Sequence, residues 1–400
     1  MTTVRSWSAY QAPGLQVLFG EGALGGLGEV LVGLGVQRPL LVTSPSVAGR
    51  TSVVDRVLAA LPASVQPIVF TGSREHTPIA VVAEAFEVAR QAGADGVLGV
   101  GGGSAMDTAK GVAIALASGS LDLDAYVGTV DRQGVDVAAP RPADRLVPVV
   151  QVPTTLSAAE ATRQAGITLA SGLKEQFYHP AIMAAAIVLD PVLTVETPEQ
   201  LWLTTGIKAL DHAVEVACSR LGNDVSQALA LQTIRVVATC LPQSRTDPQD
   251  LAVRSRLQVS AWMVLHGAGS TRSGVGLDHA VIHRLGGRFG VPHGGATCVT
   301  LPHAMAANLP GAVEALAAVA RWGFGVGVGE PDEVAAHAAV DSVRQLIAGL
   351  GLPDRLRQWI PDAASLDEVA PSVLTDTAMA GNPRRDLTVQ DVVELLHRAW

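Results

Sequence analysis

The stretch VLGVGGGSAMDTAK, residues 97 to 110, decides the fold. A short apolar run ends abruptly in three glycines and a serine before a helix-compatible segment, which predicts a strand, a tight loop and a helix. Such a joint binds phosphate, because glycines leave the backbone open to a pyrophosphate and the helix offers free N–H groups at its positive end. The spacing matches neither GxGxxG nor a Walker loop. An ordinary strand-to-helix turn therefore remains an alternative for this stretch taken alone.

Further strands and helices surround this stretch. Apolar runs at residues 17–19, 39–43 and 65–72 predict strands, and residues 77–94 predict a helix with Pro78 in its first turn. Strands that alternate with helices indicate a parallel, doubly wound sheet, whose ligand lies beyond the carboxyl ends of the strands. The N-terminal part of the chain is therefore expected to be an α/β domain.

A later strand, residues 147–152, runs into Pro153, Thr154 and Thr155. Two hydroxyls at the carboxyl end of a strand are placed to bond a nucleotide, but they equally suit the capping of the next turn. From about residue 196 onward, long amphipathic helical patterns replace the β-branched runs. We therefore expect an α/β domain over residues 1–195 and an all-helical domain over residues 196–400, since 400 residues exceed one ordinary core.

Composition excludes several classes of protein. With 48% hydrophobic and 16% charged residues, the chain is globular rather than disordered. A net charge of -9 without a basic run argues against a nucleic-acid partner. The apolar runs are broken before the roughly 20 residues that a membrane span needs, no signal-peptide segment is visible, and three widely separated cysteines fit free thiols. We expect a cytoplasmic protein with no membrane partner.

The histidines form a pattern in the second half of the chain. Lys208 and His212 are four residues apart on one predicted helix, as are His279 and His283 on another, and His293 follows a segment expected to be extended, GRFGVP. Two such pairs plus one histidine are typical of a metal or acid/base site in a helical domain. Any single histidine among them is more often structural.

Five segments resemble, in order and spacing, those of the iron-containing (group III) alcohol dehydrogenase family: GGGSAMDTAK, VPTT, TGIKALDHAVE, DHAVIHRLGGRFGVPHG and LPHAMAAN. The resemblance runs from FGEGAL at residues 19–24 to the closing NPRRDLTVQDVVELLHRAW, and it is strongest to the maleylacetate reductase branch. It implies the architecture shared with dehydroquinate synthase, a homodimer, and a cleft between domains where NADH or NADPH meets the substrate. The family's cofactor contacts correspond to Gly101, Gly102, Gly103, Ser104, Asp107, Thr154 and Thr155.

The chain departs from the family's metal-binding pattern at Lys208. In metal-dependent members an Asp and three histidines hold Fe²⁺ or Zn²⁺. The corresponding positions here are Lys208, His212, His279 and His293. A protonated amine cannot ligate a metal and repels a divalent cation, so we expect no catalytic metal. Lys208 is instead expected to polarise a substrate carbonyl and, buried beside His212, to act as a proton donor. Alternatively, it reaches solvent or pairs with Asp211 or Glu215, and the site is inactive.

The choice of cofactor and substrate is suggested by charge. Ser44 stands where NAD-selective relatives have Asp, so no carboxylate repels a 2′-phosphate and NADPH should be tolerated. Four cations near the predicted cleft favour a carboxylate-bearing substrate, although solvated surface positions explain them as well. These cations are Arg163, Lys174, Lys208 and Arg288.

The expected function is that of a metal-independent NAD(P)H-dependent reductase of the maleylacetate reductase type. It would transfer hydride to an unsaturated keto acid, with maleylacetate to 3-oxoadipate as the family precedent. Lys208, His279 and His283 would orient and polarise the carbonyl that is conjugated with the reacting bond, and one of them or a water would supply the proton. A ketone or aldehyde reductase of a biosynthetic pathway is the first alternative, and a nucleotide-binding pseudoenzyme is the second.

Overall fold

The computed structural model describes residues 7–121, 129–131, 134–136, 147–172, 174–178, 182–271 and 274–400, with backbone only for residues 129–131, 134–136 and 269–271. These residues form two compact units. The first unit comprises the described parts of residues 1–128, 136–197 and 249–259, and the second comprises those of residues 129–135, 198–248 and 260–400. No helix among the described residues is both long enough and apolar enough to cross a membrane.

The first unit is built from strands and short helices. The strands in chain order are β1 (Ser8–Ala12), β2 (Leu15–Phe19), β3 (Pro39–Val42), β4 (Ile68–Phe70), β5 (Gly96–Gly101), β6 (Thr129–Asp131), β7 (Gly134–Asp136), β8 (Val149–Pro153), β9 (Gln164–Thr168), β10 (Lys174–Tyr178) and β11 (Ala186–Leu189). All of them belong to the first unit except β6 and β7, which belong to the second unit apart from the last residue of β7. The α-helices of the first unit are α1 (Leu27–Gly33), α2 (Pro45–Arg50), α3 (Val53–Ala59), α4 (Ile79–Ala92) and α5 (Gly103–Ser118). Short 3-10 helices lie at Ala23–Gly26, Ala159–Ala161 and Pro191–Thr194.

Seven strands form the main sheet in the order β1-β2-β11-β8-β5-β3-β4. Six of them run parallel, and β1 pairs antiparallel with β2 at the edge. The predicted parallel α/β fold is confirmed. The sequence did not indicate β1, because most of its residues are exposed and it therefore carries no apolar alternation.

Strand β5, an inner strand of the sheet, ends at the glycine loop and positions it. All six residues of β5 are buried, because helices cover both faces: Val97 packs into the core on one face, and Leu98 and Val100 pack into the core on the other. Strands β3 and β8 flank β5, and Gly101 of β5 is paired with Pro153 of β8. The carboxyl ends of these three strands therefore meet at one edge, where a ligand is expected in such sheets.

The second unit is mainly helical. Its helices are α6 (Glu199–Cys218), α7 (Asp224–Thr246), the later part of α8 (Leu251–Thr271), α9 (Leu277–Phe289), α10 (His293–Ala318), a π-helix (Val319–Phe324), α11 (Asp332–Gly349), α12 (Ala370–Val373) and α13 (Val389–Ala399). Short 3-10 helices lie at Leu356–Gln358, Ala363–Leu366 and Thr377–Gly381. Helix α10 packs against α6, α9, α11 and α13, so α6, α9 and α10 bring the predicted histidines into one region.

Two details differ from the sequence-based expectations. Helix α9 extends through Phe289, so residues 287–289, the first half of the GRFGVP segment, are helical rather than extended. The burial of Ile282 and Leu285 offsets the low helix propensity of the glycines in α9. The boundary between the two units also falls at residues 197/198 rather than 195/196, and residues 249–259 belong to the first unit. There Arg254 donates to the carbonyl and hydroxyl oxygens of Thr194 at 3.0 and 3.1 Å.

Candidate functional site

The glycine loop of the first unit forms an open cradle. Gly101 has a φ of 134°, a conformation that favours glycine. Helix α5 begins at Gly103 after an N-cap, Gly102, that provides no side chain to the first turn. A Cβ on Gly103 would lie 3.1 Å from the hydroxyl oxygen of Ser157, and one on Gly102 would lie 3.4 Å from Cγ2 of Thr155. Glycine is therefore the residue that leaves this space open to a ligand.

Three hydroxyls surround this cradle. Those of Thr43, Thr155 and Ser157 are buried and have no hydrogen-bond partner within the part of the chain that the structure describes. Buried polar groups are normally hydrogen-bonded, so these hydroxyls indicate a ligand that supplies the missing bonds. Together with the helix N-terminus, they fit the pyrophosphate of a dinucleotide.

The other predicted cofactor residues have bonds within the protein. The hydroxyl of Ser44 caps α2 by accepting from the backbone N–H of Val47 at 3.3 Å. Ser104 lies in the first turn of α5, where its carbonyl accepts from the Thr108 hydroxyl at 2.7 Å. The backbone N–H of Thr154 donates to the carbonyl of Gly101 at 2.8 Å, which joins two of the expected cofactor segments.

Buried charges hold α5 against the segment that follows β8. Lys110 is fully buried and donates to the carbonyl of Ala159 at 2.5 Å, the hydroxyl of Thr162 at 3.0 Å and the carbonyl of Gln164 at 2.8 Å. Asp107 accepts from a backbone N–H at 3.1 Å, and burial raises its pKa. The expected cofactor contact Asp107 therefore also supports the loop from behind.

Lys208 and His279 are in direct contact in the second unit. Nζ of Lys208 lies 2.6 Å from Nε2 of His279 and 3.0 Å from Oδ2 of Asp211. Only 7% of the Lys208 side chain is exposed. The expectation that Lys208 lies beside His212 on α6 holds geometrically, but its hydrogen bonds are to Asp211 and to a histidine of α9. The alternative of a lysine extended into solvent is excluded by its burial.

Two carboxylates fix the orientation of His279. Oε2 of Glu215 lies 2.5 Å from Nδ1 of His279, and Oδ2 of Asp211 lies 3.2 Å from the same nitrogen. Nδ1 therefore carries the proton and donates to Glu215, which leaves Nε2 as the acceptor of the Lys208 ammonium. Burial raises the pKa of both carboxyls, and the charge of Lys208 opposes this rise.

His212 stacks on His279, with ring centroids 4.9 Å apart and an interplanar angle of 27°. Burial lowers the pKa of both histidines well below the ordinary 6.5, and the nearby Lys208 charge adds to this effect. Both imidazoles are therefore neutral at neutral pH. The buried Nδ1 of His212 has no hydrogen-bond partner among the described residues.

His283 and His293 complete the cluster. Their rings lie 5.9 Å apart and each lies within 6.3 Å of the His279 ring. Nδ1 of His283 lies 3.3 Å from the carboxylate of Asp376, which also accepts from Arg284 at 2.8 Å. Burial alone would raise the pKa of Asp376, but its hydrogen bonds and the charge of Arg284 lower it overall. All five predicted residues of the second unit thus lie in one cluster.

The cluster has some features of a metal site. Asp211, Glu215 and His279 each offer an atom within 4.8 Å of the other two. However, His279 uses Nδ1 to donate to Glu215 and Nε2 to accept from Lys208. A divalent cation at Nε2 would share its position with an ammonium and be repelled by it. This donor set, as arranged, does not fit a divalent cation.

Sequence reasoning missed four partners as site residues. Asp211 and Glu215 share the α6 face of Lys208, because spacings of three and seven residues return to the same side of a helix, and this spacing could have identified them. Asp376 and Asn382 reach α9 from segments about 100 residues away along the chain. No local spacing signals such a contact.

Comparisons with known proteins support one assignment over most of the chain. A family described as iron-containing alcohol dehydrogenase matches residues 14–191, and one described as Fe-containing alcohol dehydrogenase family, C-terminal, matches residues 202–400. The chain is 30% identical over 387 residues to a maleylacetate reductase of Pseudomonas sp. (strain P51), covering 96% of this chain and 95% of that protein. It is 31% identical over 386 residues to a 1,3-propanediol dehydrogenase of Citrobacter freundii, covering 96% of both. A crystal structure of a 1,3-propanediol oxidoreductase matches with a TM-score of 0.87 and 28% identity, covering 98% of this chain and 99% of that one.

Proposed function

Because the chain belongs to the iron-containing alcohol dehydrogenase family, we propose that it is a metal-independent reductase of an unsaturated keto acid in which Lys208 polarises the substrate carbonyl. That it is an NAD(P)-dependent oxidoreductase follows from the family and from the reductases and dehydrogenases among its relatives. The independence from a metal, the class of substrate and the role of Lys208 are the parts that we propose.

The position of the Lys208 ammonium carries the proposal. An ammonium has three N–H donors, and two of them are directed to Asp211 and His279. The third has no partner among the described residues. The side chain retains a small exposed surface, and we propose that this third N–H donates to a carbonyl oxygen of the substrate.

The cofactor and the residues of the chain have separate roles in the proposed reaction. NAD(P)H, when bound, supplies the hydride. Reduction of a double bond conjugated with a ketone shifts negative charge onto the carbonyl oxygen, and Lys208 stabilises this charge by donating to it. His279 and Asp211 hold the ammonium in place. Asp376 orients His283, which supplies the proton that completes the reduction either directly or through a water.

The absence of a catalytic metal is the second part of the proposal. In this family a metal would polarise the same carbonyl as a Lewis acid. Here the His279 nitrogen that would face a metal accepts from Lys208 instead. This contact supports a metal-independent reaction.

The substrate is proposed to carry carboxylates. The maleylacetate reductase relative and the cationic Lys208 support this assignment. Of the four cations expected near the substrate, Arg288 is 62% exposed and pairs with Glu368 at 2.9 Å, so it provides no support. We propose that either NADH or NADPH serves, because Ser44 presents a helix-capping hydroxyl rather than a carboxylate.

A simple ketone or aldehyde is the second candidate substrate. The 1,3-propanediol dehydrogenase relative is as similar to this chain as the maleylacetate reductase. Lys208 would then donate to the oxygen of the carbonyl that is itself reduced. Product analysis distinguishes the two candidates, since the first retains the ketone and the second converts it to an alcohol.

The proposal is tested by substituting Lys208 and measuring cofactor oxidation with maleylacetate, small keto acids and aldehydes. We expect Lys208→Ala to lower kcat/KM by about 10²- to 10³-fold, the usual cost of removing one donor to a developing oxyanion. Arg344→Ala removes a cation from an exposed pair on α11 and serves as the control. Full kcat/KM in Lys208→Ala would refute the role of the ammonium. Tight binding of NAD(P)H without turnover of any tested substrate would favour a pseudoenzyme.

A further inference from the structure

Helix α9 carries His279 and His283 but has no side chain of its own at its N-cap. The N-cap residue is Gly276, and the first N–H groups of a helix require external partners. Glu215 accepts from the backbone N–H groups of Gly276 at 2.8 Å and Asp278 at 2.7 Å. Asn382 accepts from the backbone N–H of Leu277 at 3.1 Å. Two side chains from distant parts of the chain thus cap this helix.

Asn382 is held rigidly. It is 1% exposed, and its amide forms a reciprocal pair with Asn308, with both N···O distances 2.9 Å. Its Nδ2 also donates to the carbonyl of Arg384 at 2.8 Å. The Asn382 amide therefore donates two hydrogen bonds through Nδ2 and accepts two through Oδ1, which is its full hydrogen-bonding capacity. Asn382 therefore has one orientation, in which its oxygen faces α9.

Gly276 brings the two caps close to the helix. A Cβ at this position would lie 2.9 Å from Oδ1 of Asn382 and 3.3 Å from Oε1 of Glu215. The distance to Asn382 is shorter than real Cβ contacts allow. Glycine is therefore required here by the caps.

We propose that Asn382, through its pair with Asn308, is a positioning residue that sets α9 so that His279 meets both Glu215 and Lys208. His279 lies on the first turn of α9, two residues after the backbone N–H that Asn382 holds. A shift of this turn by about 1 Å would break contacts of 2.5 and 2.6 Å on opposite sides of one ring. Displacements of that size lower catalytic rates by about 10²-fold. The expected effect on turnover rests on the proposed function.

The first test compares two helix caps in the same unit. Asn382→Ala removes the cap of α9, and Asn223→Ala removes the side-chain cap of α7, where Asn223 accepts from Val225 and Ser226. We expect Asn382→Ala to lower kcat by about 10- to 100-fold with an unchanged Kd for NAD(P)H, and Asn223→Ala to leave kcat within about 3-fold. Equal losses of kcat in both variants, or kcat within about 3-fold in Asn382→Ala, would overturn the proposal.

A second variant covers the case in which Asn382→Ala does not fold. Gly276→Ala keeps Asn382 and Asn308 but displaces the Asn382 oxygen from the helix. The same loss of kcat with unchanged cofactor binding is expected. Unchanged kcat in Gly276→Ala would count against the proposal.

A spectroscopic readout separates this proposal from the proposed function. ¹⁵N NMR of histidine-labelled protein reports the His279 tautomer without any turnover, with His279→Gln used to assign its signals. We expect a proton fixed on Nδ1 in the wild type and a mixture of tautomers in Asn382→Ala. If the wild type reduces no tested substrate but the tautomer changes as stated, positioning stands and the proposed function fails. An unchanged tautomer in Asn382→Ala contradicts positioning whatever the activity.

Discussion

Lys208 lies between the Asp211 carboxylate and a neutral imidazole, and this arrangement makes a buried ammonium tolerable. An isolated buried charge is costly, whereas a paired and hydrogen-bonded one is not. The sequence predicted that Lys208 and His212 share a helix face. It left open whether Lys208 pairs with Asp211, and the structure shows that it does so while also contacting His279. The pairing of Lys208 with Asp211, which was the argument for an inactive site, is therefore part of the proposed active site.

Glu160 provides a residue-scale prediction for stability. Burial raises the pKa of its carboxyl from 4.5 to about 7. Between these pH values the folded protein holds a proton that the unfolded chain has lost, so the free energy of unfolding falls as pH rises through this window. Glutamine mimics the protonated form. We expect Glu160→Gln to remove this fall and to exceed the wild type in stability at pH 8 by on the order of 1–3 kcal/mol.

Urea unfolding of the wild type and Glu160→Gln at pH 5 and pH 8 measures this effect. Glu84→Gln changes an exposed glutamate on α4 and is the control. The same dependence of stability on pH in Glu160→Gln and in the wild type would show that Glu160 is not the titrating group.

At the scale of elements, local pattern predicted the strand, loop and helix at residues 97–110 because each part has its own signal. An apolar run, consecutive glycines and a helical period lie next to one another there. Helix α9 shows where such reasoning fails. The sequence suggested an extended segment before His293, but the packing of Ile282 and Leu285 accompanies a helix that continues to Phe289, and the distant residues Glu215 and Asn382 cap its first turn. Tertiary contacts of this kind leave no local pattern.

The loop between β5 and α5 gives an element-scale prediction for cofactor binding. A Cβ on Gly102 would meet the protein only at ordinary contact distance, 3.4 Å from Thr155. It would, however, fill the space beside the unpartnered Thr155 hydroxyl, where we expect the pyrophosphate. Gly102→Ala should therefore raise the Kd for NAD(P)H about 10-fold or more, with little change in Tm.

Fluorescence titration of the bound nicotinamide measures this Kd. Gly25→Ala, where an added Cβ has no atom within 4 Å, is the matched control in the same unit. An unchanged Kd in Gly102→Ala would place the pyrophosphate elsewhere.

At the scale of the whole molecule, the order of elements predicted a parallel α/β fold followed by helices, and the structure confirms that fold class. Part of α8 belongs to the first unit because Arg254 binds Thr194 and Gln258 binds the carbonyl of Pro153. The five predicted site residues of the second unit lie together, since spacings along α6 and α9 placed each pair on one face. The contact between Lys208 and His279 joins residues 71 positions apart, so only the folded chain reveals it.

The most direct test of the account is the metal dependence of the wild-type enzyme. The iron and zinc contents of the purified protein are measured by mass spectrometry, and kcat/KM is determined. Both measurements are made before and after exhaustive treatment with a chelator. We expect less than about 0.1 metal ion per chain and unchanged kcat/KM, because Lys208 holds the position that a metal would need. Loss of activity on chelation that Fe²⁺ or Zn²⁺ restores would contradict the account.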